Sequence, residues 1–137
     1  ALLGGVAGQA GLFGNAQDVA KLMQLQLDSG QYGSEKIFDA ETVIEFTTRP
    51  FLDNRRGLGW DMPGDEPDGP VSVYASKQTF GHTGFTGTCV WADPETKLIY
   101  VFLSNRTYPD AYVKNILARE NIRTDIHSIA YRALIKD

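Results

Sequence analysis

A single cysteine, Cys89, stands among the 137 residues, which excludes an intrachain disulfide and a zinc site built on thiolates. Basic side chains are not in excess. The 13 Lys plus Arg face 17 Asp plus Glu for a formal net charge of −4, and no Lys/Arg cluster exists to neutralise a phosphate backbone. Nucleic acid is therefore not an expected partner. Long apolar runs are also missing: Leu98 to Leu103 falls far short of the roughly 18 residues a bilayer requires, so no membrane span is expected. The chain opens Ala-Leu-Leu-Gly-Gly without Met, a basic segment or a cleavage site, so the expectation is a piece cut from something longer. What remains is ordinary. Hydrophobic residues at 42% and charged residues at 22% sit near globular averages, and the length supports one core.

The first fourteen residues hold Gly4, Gly5, Gly8, Gly11 and Gly14, which predicts a shaped, packed loop. Asn15 with Asp18 three positions on, followed by Val19, Leu22, Met23, Leu25 and Leu27, predicts a helix over 16–28 that Ser29-Gly30 stops. A second helix is expected from a cap at Asp39 through Val43, Ile44 and Phe46, ending before Arg49-Pro50. Asp61 to Pro70 contains three prolines, two glycines and four acids and reads as a solvated surface loop. From Thr86 to Ala92 the residues alternate with a period of two, then Asp93 to Lys97 supplies turn chemistry. The following Leu-Ile-Tyr-Val-Phe-Leu is apolar on both faces, so the pair predicts a hairpin in a sheet covered twice. Ile122, Ile126, Ile129, Ala130 and Ala133 form a stripe that predicts a helix over 122–135 packed on that sheet. The resulting class is α+β: an antiparallel sheet from Gly57–Asp61, Thr79–His82, Thr86–Ala92 and Leu98–Ser104, flanked by helices.

The segment Phe80-Gly81-His82-Thr83-Gly84-Phe85-Thr86-Gly87-Thr88 carries the most chemistry. Glycines around one imidazole at the mouth of a strand let a ligand approach the backbone, and acyl transfer needs backbone N–H groups aimed at a carbonyl that gains negative charge. The Thr83 hydroxyl and the His82 ring can hold a carboxylate or pass a proton. The same four letters, Gly-His-Thr-Gly, also fit a β-bulge or tight turn with no chemistry at all.

Read with Trp91-Ala92-Asp93-Pro94, Leu103-Ser104-Asn105-Arg106, Gly57-Leu58-Gly59-Trp60 and the Gly-Gly-Val-Ala-Gly-Gln-Ala-Gly-Leu-Phe run at 4–13, the segment resembles the C-terminal part of the serine β-lactamase and DD-peptidase family. The resemblance covers nearly the whole chain and implies a partial β-lactamase/transpeptidase-like fold. It implies that His82, Thr83 and Gly84 are the family's third motif, on a strand facing a Ser-x-x-Lys nucleophile, and that the Phe85 N–H is an oxyanion donor. His in place of Lys resembles the DD-peptidase and esterase-like branches. A small-molecule or peptide substrate, such as a D-amino-acid peptide or β-lactam, and a bacterial, periplasmic or cell-envelope setting are further implications. No serine here has lysine three residues on, and no tyrosine begins Tyr-x-Asn. The expectation is a C-terminal fragment, residues 1–137, that has no turnover alone and associates with itself through uncovered apolar surface. The alternative is a module that binds a peptide or glycan in the same groove without cleaving it.

Other residues receive plain readings. Two histidines without carboxylates at ligand spacing, and acids at Asp61, Asp65, Glu66 and Asp68 that miss the calcium-loop pattern, predict no metal or other cofactor. His127 is expected to face solvent on the last helix and Cys89 to lie in the core, while Arg55-Arg56 could contact an anionic substrate or decorate a turn, the turn being favoured. Asn105-Arg106-Thr107 matches a glycosylation pattern by chance.

Overall fold

The computed structural model describes residues 4, 5, 7, 11–51, 53–65, 69–111 and 116–134. Helix α1 (Ala16–Leu27) begins where expected, with the Asn15 side chain accepting the Asp18 N–H at 3.1 Å, a cap worth about 1 kcal/mol. It ends where Ser29 and Gly30 turn into the left-handed region and the Gly30 N–H returns to the Leu25 carbonyl. A short hairpin, β1 (Gln31–Tyr32) and β2 (Glu35–Lys36), leads to helix α2 (Ala40–Thr47). Asp39 stands at its N-cap position but makes no capping hydrogen bond; its carboxylate pairs with Lys36 instead. Only Val43 of α2 is buried, while Ile44 and Phe46 are exposed.

Strands β3 (Phe80–Thr83), β4 (Cys89–Ala92) and β5 (Ile99–Phe102) form an antiparallel sheet in that order. Phe80 pairs with Ala92, His82 with Val90 and Trp91 with Tyr100. Alternation then builds two cores. Met23 from α1 and Met62 pack with Phe80 and Ala92 on one face, and Val71 packs with Cys89, Trp91 and Tyr100 on the other. Helices α3 (Ile116–Arg119) and α4 (Ile122–Leu134) complete the chain. The twice-covered sheet is thus present, with α1 on one side and α4 on the other.

Several expectations shift. Gly57–Asp61 is not a strand: only Asp61 pairs, with Gly81, while Gly57 donates to the Trp60 carbonyl in a local turn. The predicted strand over Thr86–Ala92 begins at Cys89, because 84–87 forms a turn closed by the Gly87 N–H on the Gly84 carbonyl. Asp61, Met62 and Pro63 are buried, so the start of the acidic loop is core and not solvated; residues 66–68 lie outside the described residues. Part of the glycine-rich start does too, and Leu12 and Phe13 at its end stand exposed, Phe13 at 90%, against the expectation of a packed loop.

The largest correction concerns α4. Its buried face is His127, Ser128 and Tyr131, with His127 only 1% exposed, whereas Ile126 and Ile129 face outward. Hydrophobicity alone points to the wrong stripe because the segments flanking the strands present polar partners to this helix. Tyr131 donates to the buried Asp93 carboxylate at 2.7 Å, the Ser128 hydroxyl meets that of Ser72 at 2.9 Å, and the His127 ring stacks on Tyr100 at 4.5 Å between centroids. Buried polar groups that all find partners pack as well as an aliphatic stripe does.

Candidate active site

His82 and Thr83 end β3, the strand at the sheet's edge, and Gly84 follows it. Gly81 exchanges both backbone hydrogen bonds with Asp61 on that outer side, and by the two-residue alternation of a strand Thr83 points its N–H and C=O the same way. His82 is exposed and Thr83 half-buried, and both line a groove of about 620 Å³ between α1 and the β3–β4 ribbon. Leu12, Phe13, Val19, Leu22 and Leu103 supply its apolar wall and Asp18 its one acid. Phe85, in the turn beyond β3, is exposed and lies under the Arg106 guanidinium at 4.6 Å from the ring centre, a cation–π contact.

The glycines near His82 serve the protein's own packing. A Cβ on Gly81 would strike the Val90 carbonyl and the Trp91 ring, and one on Gly84 would strike the Thr88 hydroxyl. Gly87 adopts φ +96° and has Ser104 Oγ and Leu117 against its open side. Each of these glycines thus lets neighbouring parts of the chain approach closely on the side where a Cβ would stand.

What sequence reading missed is the convergence of Asp61, Arg55 and Arg56 beside His82. Arg55 grips the Asp61 carboxylate through Nε at 2.6 Å and Nη2 at 3.0 Å, and Arg56 Nη2 lies 3.8 Å from the same group. Burial opposes ionisation of Asp61, but the Arg55 hydrogen bond, the charges of Arg55 and Arg56 and the Met62 N–H outweigh it and hold the carboxyl below its ordinary range. Arg56 Nη1 then reaches His82 Nε2 at 2.8 Å, and His82 Nδ1 lies 2.7 Å from the Thr83 carbonyl. The arginine pair therefore does more than decorate a turn. Its only sequence signal is adjacency to Gly57-Leu58-Gly59-Trp60, and the link to His82 depends on the Asp61–Gly81 pairing, which spacing does not reveal.

Cys89 is buried as expected, and burial pushes its thiol up to about 11 despite the nearby Arg123 charge. Among the described residues no group of His, Cys, Asp or Glu is arranged to hold a metal, and no helix is long and apolar enough to cross a membrane.

The family model for beta-lactamase matches residues 1–122. The chain belongs to the beta-lactamase family. Similar proteins carry the name "Putative D-alanyl-D-alanine carboxypeptidase" in Salmonella agona and Salmonella paratyphi B. Each is 45% identical over 121 residues, which is 88% of this chain and 28% of the relative. This beta-lactamase-family chain thus spans little more than a quarter of the length of those curated relatives. The crystal structure of a beta-lactamase from Mycobacterium bovis superposes with a TM-score of 0.67 at 21% identity, covering 93% of this chain and 47% of that one, so the two share a fold.

Proposed function

We propose that this chain supplies one wall of an acyl-transfer site, as the C-terminal piece of a larger serine hydrolase domain, and that the chain has no turnover alone. The observation carrying the reading is the run His82-Thr83-Gly84 on an open strand edge, lining a groove and standing beside the fixed cation of Arg56. In this reading His82 is the catalytic-motif residue, Thr83 and Gly84 contact substrate, and the Phe85 N–H donates to the oxyanion. A cation beside the motif favours a substrate with an anionic group, such as a D-amino-acid peptide or a β-lactam, acting in the periplasm or cell envelope. The sequence contains neither Ser-x-x-Lys nor Tyr-x-Asn, so the attacking hydroxyl and its activating base must come from another segment. The isolated chain is therefore expected to leave a chromogenic cephalosporin and a p-nitrophenyl ester at background rates. Turnover above background overturns the reading.

A further inference from the structure

We infer that Arg56 is a positioning residue that fixes His82 as its Nδ1–H tautomer, with the lone pair of Nε2 turned to the guanidinium. Two independent contacts require it. A guanidinium has only donors, so the nitrogen 2.8 Å from Arg56 Nη1 must accept. A carbonyl oxygen only accepts, so the nitrogen 2.7 Å from the Thr83 oxygen must carry the proton.

Arg56 is itself held in place. Its backbone N–H donates to the Asn54 side chain at 3.1 Å, and its guanidinium stands 3.8 Å from the Asp61 carboxylate that Arg55 grips from the other side. Asp61 is buried and its main chain is paired to Gly81, one residue from His82, so the anchor and the imidazole belong to one rigid edge. The consequence for the groove is definite. The accepting nitrogen of His82 is occupied by a cation, and a proton can be passed at Nε2 only when Arg56 moves aside. The inference rests on His82 belonging to the proposed site, but its test reads the tautomer and no turnover, so the two readings fail separately.

The test is a two-bond ¹H–¹⁵N correlation of the imidazoles in the ¹⁵N-labelled full chain at pH 8. His127 is the internal reference, since its Nδ1 receives the Ser72 N–H at 3.4 Å and its proton sits on Nε2. The expected spectrum contains one histidine of each tautomer, with His82 favouring Nδ1–H by about tenfold, the excess one charge-assisted hydrogen bond supports. In Arg56→Met, which keeps the stem and leaves the Arg55–Asp61 pair intact, that excess falls to what the Thr83 carbonyl alone supports, while the His127 signals stay, reporting an intact fold. Arg56→Lys, which keeps a donating cation, restores part of the excess. His82 found as Nε2–H in the unaltered chain, or an unchanged excess in Arg56→Met, overturns the inference.

Discussion

Asp61 and Gly81 exchange both of their backbone hydrogen bonds, at 2.7 and 3.0 Å, and this one pair ties the loop after Trp60 to the strand that carries His82. The pair sets the depth of Asp61, and the depth of Asp61 sets where two arginines converge. A carboxylate taken out of water needs compensation, and here one of the compensating cations, Arg56, also contacts the exposed imidazole. The fold requirement and the polarity of the groove thus have a common origin.

Gly81 has no room for a side chain, because a Cβ would meet the Val90 carbonyl and the Trp91 ring across the β3–β4 pair. Gly81→Ala must therefore push the strands apart or displace Trp91, which is almost fully buried. The expected loss is about 1–3 kcal/mol, the range for overpacking a core, read as a lower urea midpoint at unchanged slope. A midpoint equal to that of the unaltered chain would show that β3 yields without cost.

Tyr131→Phe removes one hydroxyl from the buried polar layer under α4. Burial works against the charge on Asp93, but hydrogen bonds from Ser76, Tyr131 and Glu95 hold its carboxyl below the ordinary range. Without the Tyr131 donor the carboxylate loses its shortest hydrogen bond, and stability should fall by about 1–3 kcal/mol near pH 7. The decisive comparison is the size of the loss at pH 3, where Asp93 is closer to protonation: a difference no smaller there than at pH 7 would mean that the hydroxyl acts through packing alone.

Local signals in the sequence carried far, and non-local ones did not. Asn15 with Asp18, the alternation up to Ala92 and the turn at Asp93 to Lys97 each depend on neighbours within a few positions, and each was legible. The face of α4 was not, since which side of a helix is buried depends on what the sheet offers. Ser72 and Asp93, far away in the chain, decided in favour of His127 and Tyr131 over Ile126 and Ile129. The candidate site divides the same way. His82, Thr83, Gly84 and Phe85 stand in one short run, whereas Arg56 and Asp61 join them only through strand pairing across some twenty residues.

Apolar side chains left open define a further expectation. Leu12 and Phe13 beside the groove, Phe85 at the turn and Ile129 on the outer face of α4 are all well exposed. Single exposed residues are unremarkable, but Leu12, Phe13 and Leu22 share one wall. The chain should self-associate through that wall, giving a light-scattering mass that rises with concentration. Phe13→Asp should lower it. A monomer mass maintained to high concentration in the unaltered chain would remove the expectation.

Acid should unfold the protein in two separable stages. Burial against Tyr100 and Tyr131 drives the His127 imidazole down to about 4 from its ordinary 6.5, with the Asp93 charge opposing the shift. Below about pH 6.5 the unfolded chain therefore takes a proton that the folded chain refuses until about pH 4. Stability is complete above that window and falls as the pH drops through it, by on the order of 3 kcal/mol in all. Asp61 and Asp93 act lower. Their folded carboxyls sit below the ordinary 3.8, so their contribution persists to about pH 4 and disappears beneath it. His127→Gln should lower stability at pH 7, because the ring stack is lost, yet flatten the decline between pH 6.5 and 4 while leaving the lower limb in place. Urea midpoints collected at half-unit pH steps separate the stages, and a decline in that window as steep in His127→Gln as in the unaltered chain would assign the first stage to another group.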